Sequence, residues 1–357
     1  MTRDLHERKE MQNFTIGKYP IGAESPPLII AEIGQAHDGS LGTAHAFIDA
    51  VADIGVEAIK FQTHIADSES TLDEAFRVHF SRQDATRYDY WRRMEFSEEE
   101  WRGLAEHARE KGLLFMSSAF SVEAVRILAA IGMPVWKIGS GEFKSLDLME
   151  AMAVTGAPFL LSTGMCSYAD VEERVAWFRK KGINFALMQC TSKYPVQYQE
   201  VGLNVLEEYR ARFHCPVGLS DHSGAIYPGL AALSMGANLL EVHVTFDKRL
   251  FGPDVASSVT LEDLQILREA RDAFWIMHTH PVNKDVLAED HSKMCALFTK
   301  SIAPVRDLPA GTVLQADMLT VKKPGTGIPP ENKEDILGRR LKRDVTSMRL
   351  LSWSDIE

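Results

Sequence analysis

The chain has 357 residues, 45% hydrophobic and 25% charged, and its 50 acidic against 39 basic side chains leave a net charge of −11. This is the composition of a folded chain, which excludes disorder, and its length admits one large domain with a small one or two of medium size. The acidity makes nucleic acid and anionic membranes poor partners, so any anion has to be held by a local cluster of cations and backbone N–H groups.

Residues 1–27 read as an N-terminal extension without the apolar stretch of a secretory leader. Eight short apolar segments then recur: LIIAEIG (28–34), EAIKFQT (57–63), LLFMSS (113–118), VWKIGSGE (135–142), PFLLSTG (158–164), FALMQCTS (185–192), PVGLSDH (216–222) and LLEVHVT (239–245). Each has strand length, and several are apolar nearly throughout, as parallel strands covered on both faces are. Helical stretches alternate with them, such as LGTAHAFIDAVADIG and SYADVEERVAWFRKKG, and many open near Ser, Thr or Asp and stop at Gly. Eight such units without a glycine-rich dinucleotide turn predict an α/β fold, a (β/α)8 TIM barrel over 28–280, rather than an open doubly wound sheet.

The wide step between the second and third strands leaves room for an insertion within 64–112, rich in aromatic and charged residues. It is expected over the C-terminal face of the barrel, as a lid or a subunit contact. Residues 281–297 read as a linker. Residues 298–357, with the turn sequences DLPAGT and KPGTG, read as a small second domain near the lower limit of independent stability. Cys166, Cys190, Cys215 and Cys295 form no C-x-x-C pair, which argues against a zinc ribbon or a disulfide scaffold and fits a reducing cytoplasm. No apolar run is long enough for a membrane span.

In a parallel barrel the active site forms where the strands end. Those ends carry Glu32 on the first strand, Lys60 and Gln62 on the second, and Ser117 and Ser118 on the third. Lys137, Ser140 and Glu142 follow on the fourth, Ser162 and Thr163 on the fifth, and Thr191 and Ser192 on the sixth. Ser220, Asp221 and His222 end the seventh strand, and Glu241 and His243 lie on the eighth. Polar and charged groups at such places are costly to bury unless they act.

His222 and His243, on neighbouring strands, are candidate ligands of a divalent metal; the competing reading is a pair of hydrogen-bonded core histidines. The carboxylates Glu32, Glu142 and Asp254 favour a metal, and a mixed N/O set suits Mn²⁺. Lys60 and Lys137 sit in apolar strands beside the hydroxyls and glycines of GSGE, STG and GLSDH, which suits a phosphate clamp. A Schiff-base role for a lysine stays open. His278 and His280 read as exposed at a helix end, Cys166 as a small buried residue, and Glu98–Glu100 behind Ser97 as a helix start. KEDILGRRLKRD reads as a solvated helix face and turn.

The motifs AEIGQAHDGS, KFQTH, SSAF, KIGSGE, STGM, CTSKYP, GLSDHS and EVHVTFDKRLFGPD stand in the order found in the sialic acid synthase family, which this chain resembles over nearly its whole length from about residue 28. The tail KSIAPVRDLPAGTVLQADMLTVKKPGTG is similar to that family's C-terminal antifreeze-like (SAF) domain. The resemblance implies a C–C bond-forming transferase that condenses phosphoenolpyruvate (PEP) with an N-acylated aminohexose, giving a nine-carbon 2-keto acid and phosphate. It implies His222 and His243 as metal ligands, with Mn²⁺ the usual ion and Mg²⁺ or Co²⁺ as alternatives. It places Lys60, Ser118, Lys137, Ser140, Ser162, Ser192 and Ser220 among the substrate-binding residues. Glu32, Gln62, Glu142, Tyr194 and Asp254 become the residues around the sugar, the metal-bound water or the reacting carbons. It further implies a domain-swapped homodimer in which Lys323 reaches the partner's site.

The chain departs from the family pattern at Ala36, Phe143, Lys144, Ser192 and Lys323. The expectation is therefore intact PEP and metal machinery with an altered acceptor side. The acceptor is a mannosamine-type sugar or that of a pseudaminic-, legionaminic- or spore-coat-type synthase. The rival classes are a metal-dependent pyruvate aldolase barrel, a PEP synthase for phosphorylated sugars, which lacks the tail domain, and a non-enzymatic sugar- or partner-binding protein.

Overall fold

The computed structural model describes residues 13–78 and 80–357, so residues 1–12 of the N-terminal extension lie outside the described residues. The chain divides into two compact units at Thr279/His280. Among the described residues no helix is long and apolar enough to cross a membrane.

The first unit opens with an antiparallel hairpin, β1 (Phe14–Ile16) and β2 (Tyr19–Ile21). Eight parallel strands follow: β3 (Leu28–Gly34), β4 (Ala58–Thr63), β5 (Leu114–Ala119), β6 (Trp136–Ile138), β7 (Phe159–Ser162), β8 (Phe185–Cys190), β9 (Val217–Asp221) and β10 (Leu239–His243). The sheet order is β5-β4-β3-β10-β9-β8-β7-β6, so the last strand returns to the first. At the remaining seam, Ser118 Oγ on β5 donates to the Lys137 carbonyl on β6 at 3.3 Å. This is the near-closed α/β barrel that the strand spacing predicts. Strand β6 is shorter than its apolar segment, because Ser140–Glu142 turn into a 3₁₀ turn in which the Glu142 N–H donates to the Gly139 carbonyl.

Helices α1 (Leu41–Ile54), α2 (Ala66–Glu69), α3 (Arg87–Met94), α4 (Glu98–Glu110), α5 (Val122–Ile131), α6 (Leu146–Ala153), α7 (Tyr168–Lys181), α8 (Asn204–Phe213), α9 (Ile226–Ser234) and α10 (Leu261–Thr279) fill the connections. Cap chemistry sets several of their ends. Ser40, Ser97, Ser121 and Ser167 each accept from the N–H three residues on, and Gly55, Gly132 and Gly182 close α1, α5 and α7 in the left-handed region.

Strand parity divides the core. Ile29, Ile59, Phe61, Trp136, Phe159, Leu187, Val217 and Leu240 face outward and pack with the helices. The other parity, Leu28, Ile30, Ala58, Met116, Val135, Leu160, Ala186, Met188 and Leu239, faces inward and forms one buried cluster with Phe14, Ile16 and Ile21 of the hairpin. The hairpin therefore plugs the N-terminal end of the barrel. Each inward row is apolar at that end and turns polar toward the C-terminal end, where the site lies.

In the second unit, residues 281–297, which the sequence presents as a linker, hold helix α11 (Lys284–Asp290) and most of α12 (Ser292–Phe298). Asn283 Oδ1 accepts from the N–H groups of Asp285 and Val286, a cap that starts α11. Strands β11 (Ser301–Pro304) and β12 (Leu319–Lys322) pair antiparallel, and KEDI forms α13 (Lys333–Ile336). Ile302, Leu314, Ile328, Ile336 and Leu351 make this unit's own core.

Candidate active site

At the C-terminal end of the strands lies a cavity of about 460 Å³. Its lining includes Glu32, Lys60, Gln62, Ser118, Lys137, Ser140, Glu142, Ser162, Ser192, Tyr194, Ser220, His222, His243 and Asp254. Ser117, Thr163, Thr191 and Asp221 do not line it. They bond elsewhere: Ser117 with Thr63, Thr163 with the Met188 carbonyl, Thr191 with the Glu200 carbonyl, and Asp221 with Ser223. Parity separates Ser117 from Ser118 and Asp221 from its neighbours Ser220 and His222.

Four buried charges form the floor. Lys60 and Lys137 are each 3% exposed, Glu32 is 1% exposed and Glu241 is 4% exposed. Lys60 Nζ donates to Glu32. Lys137 Nζ donates to Ser162 Oγ at 2.9 Å and lies 3.0 Å from Glu241 Oε1, which also accepts from Ser220 Oγ at 3.0 Å. Among the described residues Glu241 Oε2 has no hydrogen-bond partner, and it lies 3.9 Å from Lys60 Nζ. Burial opposes charge on both sides of this network, but opposite charges outweigh it. Glu241, flanked by Lys137 and Lys60, is held below the usual carboxylate range; Lys60 is pushed above its ordinary value by Glu241 and Glu32. Glu241 is the residue whose role sequence reasoning missed; the signal was its i, i+2 relation to His243, which puts both on the inward face.

The two imidazoles stand side by side, with ring centroids 5.3 Å apart. Burial first, and His243 next, lower His222 to about 3, so its ring is neutral. His222 Nδ1 faces the Thr191 carbonyl at 3.0 Å. That contact places the ring hydrogen on Nδ1 and leaves the Nε2 lone pair free. Among the described residues no cluster of three or more His, Cys, Asp or Glu is placed to hold a metal. The two imidazoles are candidate donors, and their borderline chemistry suits a divalent first-row cation with positions left open.

Tyr194 stacks on His222, with centroids 4.1 Å apart, and the Arg77 guanidinium lies 4.1 Å from the Tyr194 ring centre. Burial raises the Tyr194 hydroxyl pKa and keeps it neutral. Arg77 comes from the insertion and pairs with Asp254 at 2.7 Å. His64, Glu69, Phe76, Phe80, Tyr90 and Trp91 of the same segment also line the cavity, so the insertion builds its wall. Tyr90, Trp91, Met94 and Ala66 pack there as a separate small core.

Gly34 has a φ of +52°, follows a register shift after Glu32, and a Cβ there would meet Glu32, Gln62 and His243. At Gly164 a Cβ would lie 2.5 Å from Ser192 Oγ and 2.9 Å from Ser140 Oγ, while the Gly164 N–H donates to Ser140 Oγ at 2.9 Å. Only glycine fits between these two hydroxyls.

Of the positions where the chain departs from the family pattern, Ser192 lines the cavity. Phe143 is buried in the barrel's outer core, Ala36 packs against that core, and Lys144 pairs with Asp170 at 2.7 Å. Lys323 lies in the second unit, its ammonium 5.2 Å from the Phe298 ring centre. Cys166 is half-buried, and burial pushes its thiol up to about 11, which does not make a thiolate nucleophile. His278 is exposed and faces the Ser234 carbonyl.

A barrel with paired lysines, carboxylates and imidazoles converging on one mouth defines an enzyme. The model of the NeuB family matches residues 47–281 and that of the SAF domain matches 299–357; the chain belongs to the NeuB family and ends in a SAF domain. It is 32% identical to the N,N'-diacetyllegionaminic acid synthase of Legionella pneumophila, over 96% of this chain and 98% of that protein. It is also 32% identical to human N-acetylneuraminate-9-phosphate synthase, over 90% of each chain. The crystal structure of the N-acetylneuraminic acid (sialic acid) synthetase of Leptospira borgpetersenii, in complex with citrate, matches with a TM-score of 0.71 at 29% identity, covering 81% of this chain and 98% of that one. Membership makes the protein a C–C bond-forming enzyme.

Proposed function

We propose that the protein condenses PEP with an N-acylated amino hexose of the kind that carries two acylamino groups, releasing phosphate and a nine-carbon 2-keto acid. The observation that carries this reading is the floor of the cavity: two buried lysines beside two imidazoles, with the hydroxyl-bearing Ser140 and Ser192 alongside. Lys60 and Lys137 hold the phosphate and carboxylate of PEP, assisted by the hydroxyls of Ser118, Ser162 and Ser220.

In the reaction, PEP carbon 3 bonds to the aldehyde carbon and the aldehyde oxygen becomes a hydroxyl. Water adds at carbon 2, and the bond from carbon 2 to the phosphate oxygen breaks to leave the ketone. Glu32 and Glu142 stabilise the positive character that develops at carbon 2. His222 and His243 would hold a divalent ion, Mn²⁺ in this reading, which when bound would supply Lewis acidity toward the aldehyde. Tyr194, Gln62 and Asp254 face the acceptor. The aromatic wall of Phe76, Phe80, Tyr90 and Trp91 supports the choice of an acyl-rich acceptor, as does the name of the Legionella relative.

The test is phosphate release from PEP with Mn²⁺, with and without EDTA, across N-acetylmannosamine, diacetamido-trideoxyhexoses and unacylated mannose. Release confined to a diacetamido sugar and abolished by EDTA is expected; release with N-acetylmannosamine alone corrects the acceptor. His222→Ala should lose metal-dependent turnover and keep its far-UV circular dichroism. Full activity in that variant rejects the metal site.

A further inference from the structure

His64 ends the inward row Lys60, Gln62, His64, and nothing in the reading above gives it a task. It is 4% exposed and its ring is clamped between two aromatic faces, Trp91 at 3.9 Å and Phe120 at 4.3 Å between centroids. Its Nδ1 meets the Glu69 carboxylate, and its Nε2 lies 3.3 Å from Gln62 Oε1. The orientation of the Gln62 amide follows from its other end, which contacts Glu32 Oε1 at 2.7 Å. An ionised carboxylate only accepts, so the amide nitrogen has to face it and the amide oxygen has to face His64. Gln35 Nε2 donates to that same oxygen at 3.4 Å. Both nitrogens of His64 therefore face acceptors, and toward Gln62 Oε1 the ring can contribute only as a donor from Nε2.

We infer that His64 is a positioning residue for the proposed condensation: it donates from Nε2 to Gln62, locks the amide with its NH₂ toward Glu32, and so holds the Glu32 carboxylate aimed beside Lys60. The chain runs Glu69–His64–Gln62–Glu32–Lys60. Its outer end is supplied by the insertion, since Glu69 lies in α2, where its carboxylate also accepts from the Ile65 N–H at 3.3 Å. Trp91 lies in α3, its indole N–H anchored to Glu74 at 2.9 Å. The insertion thus does more than cover the mouth; it sets the orientation of a carboxylate on the barrel floor.

The kinetic part rests on the proposed reaction, and the spectroscopic part does not. His64→Phe keeps a flat ring between Trp91 and Phe120 and removes both ring nitrogens. His64→Gln returns one amide donor near the position of Nε2. On the full-length, Mn²⁺-loaded protein, His64→Phe is expected to lower kcat at least tenfold with the KM for PEP changed less than threefold, and His64→Gln to recover at least a third of the lost activity. Wild-type kcat in His64→Phe, or His64→Gln no better than His64→Phe, overturns the inference. Independently of turnover, ¹H–¹⁵N correlation spectra of histidine-labelled wild-type protein, assigned by the signal lost in either variant, should show a hydrogen on His64 Nε2; a bare Nε2 overturns it. If the wild type releases no phosphate with any acceptor, the reaction reading fails and the spectrum alone judges His64.

Discussion

Glu241 lies where two ammonium groups converge, and that placement explains why so many charges tolerate burial in one barrel. Lys60 and Lys137 are matched by Glu32 and Glu241, so the floor is neutral as a unit although every member is buried. Removing one member of such a set leaves an uncompensated charge in a medium that solvates it poorly, which costs about 3–5 kcal/mol for a buried pair. Glu241→Gln keeps the shape and an acceptor for Ser220 but deletes the charge. It is expected to destabilise the fold by about 3 kcal/mol in urea unfolding at pH 7. A loss below about 1 kcal/mol would show that the lysines shed their charge or find water instead. The role of this residue was hidden in the sequence because a single Glu in an apolar strand does not say which lysine it will meet. Parity says only that it faces inward, as His243 does.

At the scale of elements, the barrel strands and most helix ends were legible, because parallel strands are apolar on both faces and the Ser and Gly caps mark where helices begin and stop. The hairpin was not. FTI and YPI are three residues each, too short to show a period, and only the structure places Ile16 and Ile21 against Ile30, Met116 and Leu160. The helices of 281–297 were missed for a related reason, since Asn283 caps α11 ahead of a segment with no clear apolar stripe. The insertion could be located by its length and aromatic content, but not the pairing of Arg77 with Asp254, a contact between loops far apart in the sequence. Ile16 is fully buried, so Ile16→Ala should cost about 2–5 kcal/mol if the hairpin is part of the cooperative barrel. The check is urea unfolding followed by both tryptophan fluorescence and circular dichroism. A cost below about 1 kcal/mol would mean that the plug opens independently of the barrel.

At the scale of the whole molecule, every residue lining the cavity comes from the first unit, whereas Lys323 belongs to the second. The domain-swapped homodimer that the family resemblance implies would bring Lys323 to a partner's site, and we propose a test of this that does not cut the chain. Lys137→Ala removes a buried cation from the floor; Lys323→Ala removes only the lysine of the tail domain. Each variant alone is expected to have less than about a tenth of wild-type turnover if both groups serve the reaction. Co-expressed with distinct tags, the two chains form mixed dimers as about half of the population. In a swapped dimer, the Lys323→Ala chain contributes an intact floor and receives an intact Lys323 from its partner, so one of the two sites in each mixed dimer is whole. The mixture should then recover about a quarter of wild-type activity, and dimers isolated through both tags about half. If Lys323 serves its own barrel, no mixed dimer has a whole site and activity stays at the level of the single variants. Recovery in the doubly tagged fraction supports action between chains, whereas none, in a fraction that carries both tags and is dimeric by light scattering, rejects it.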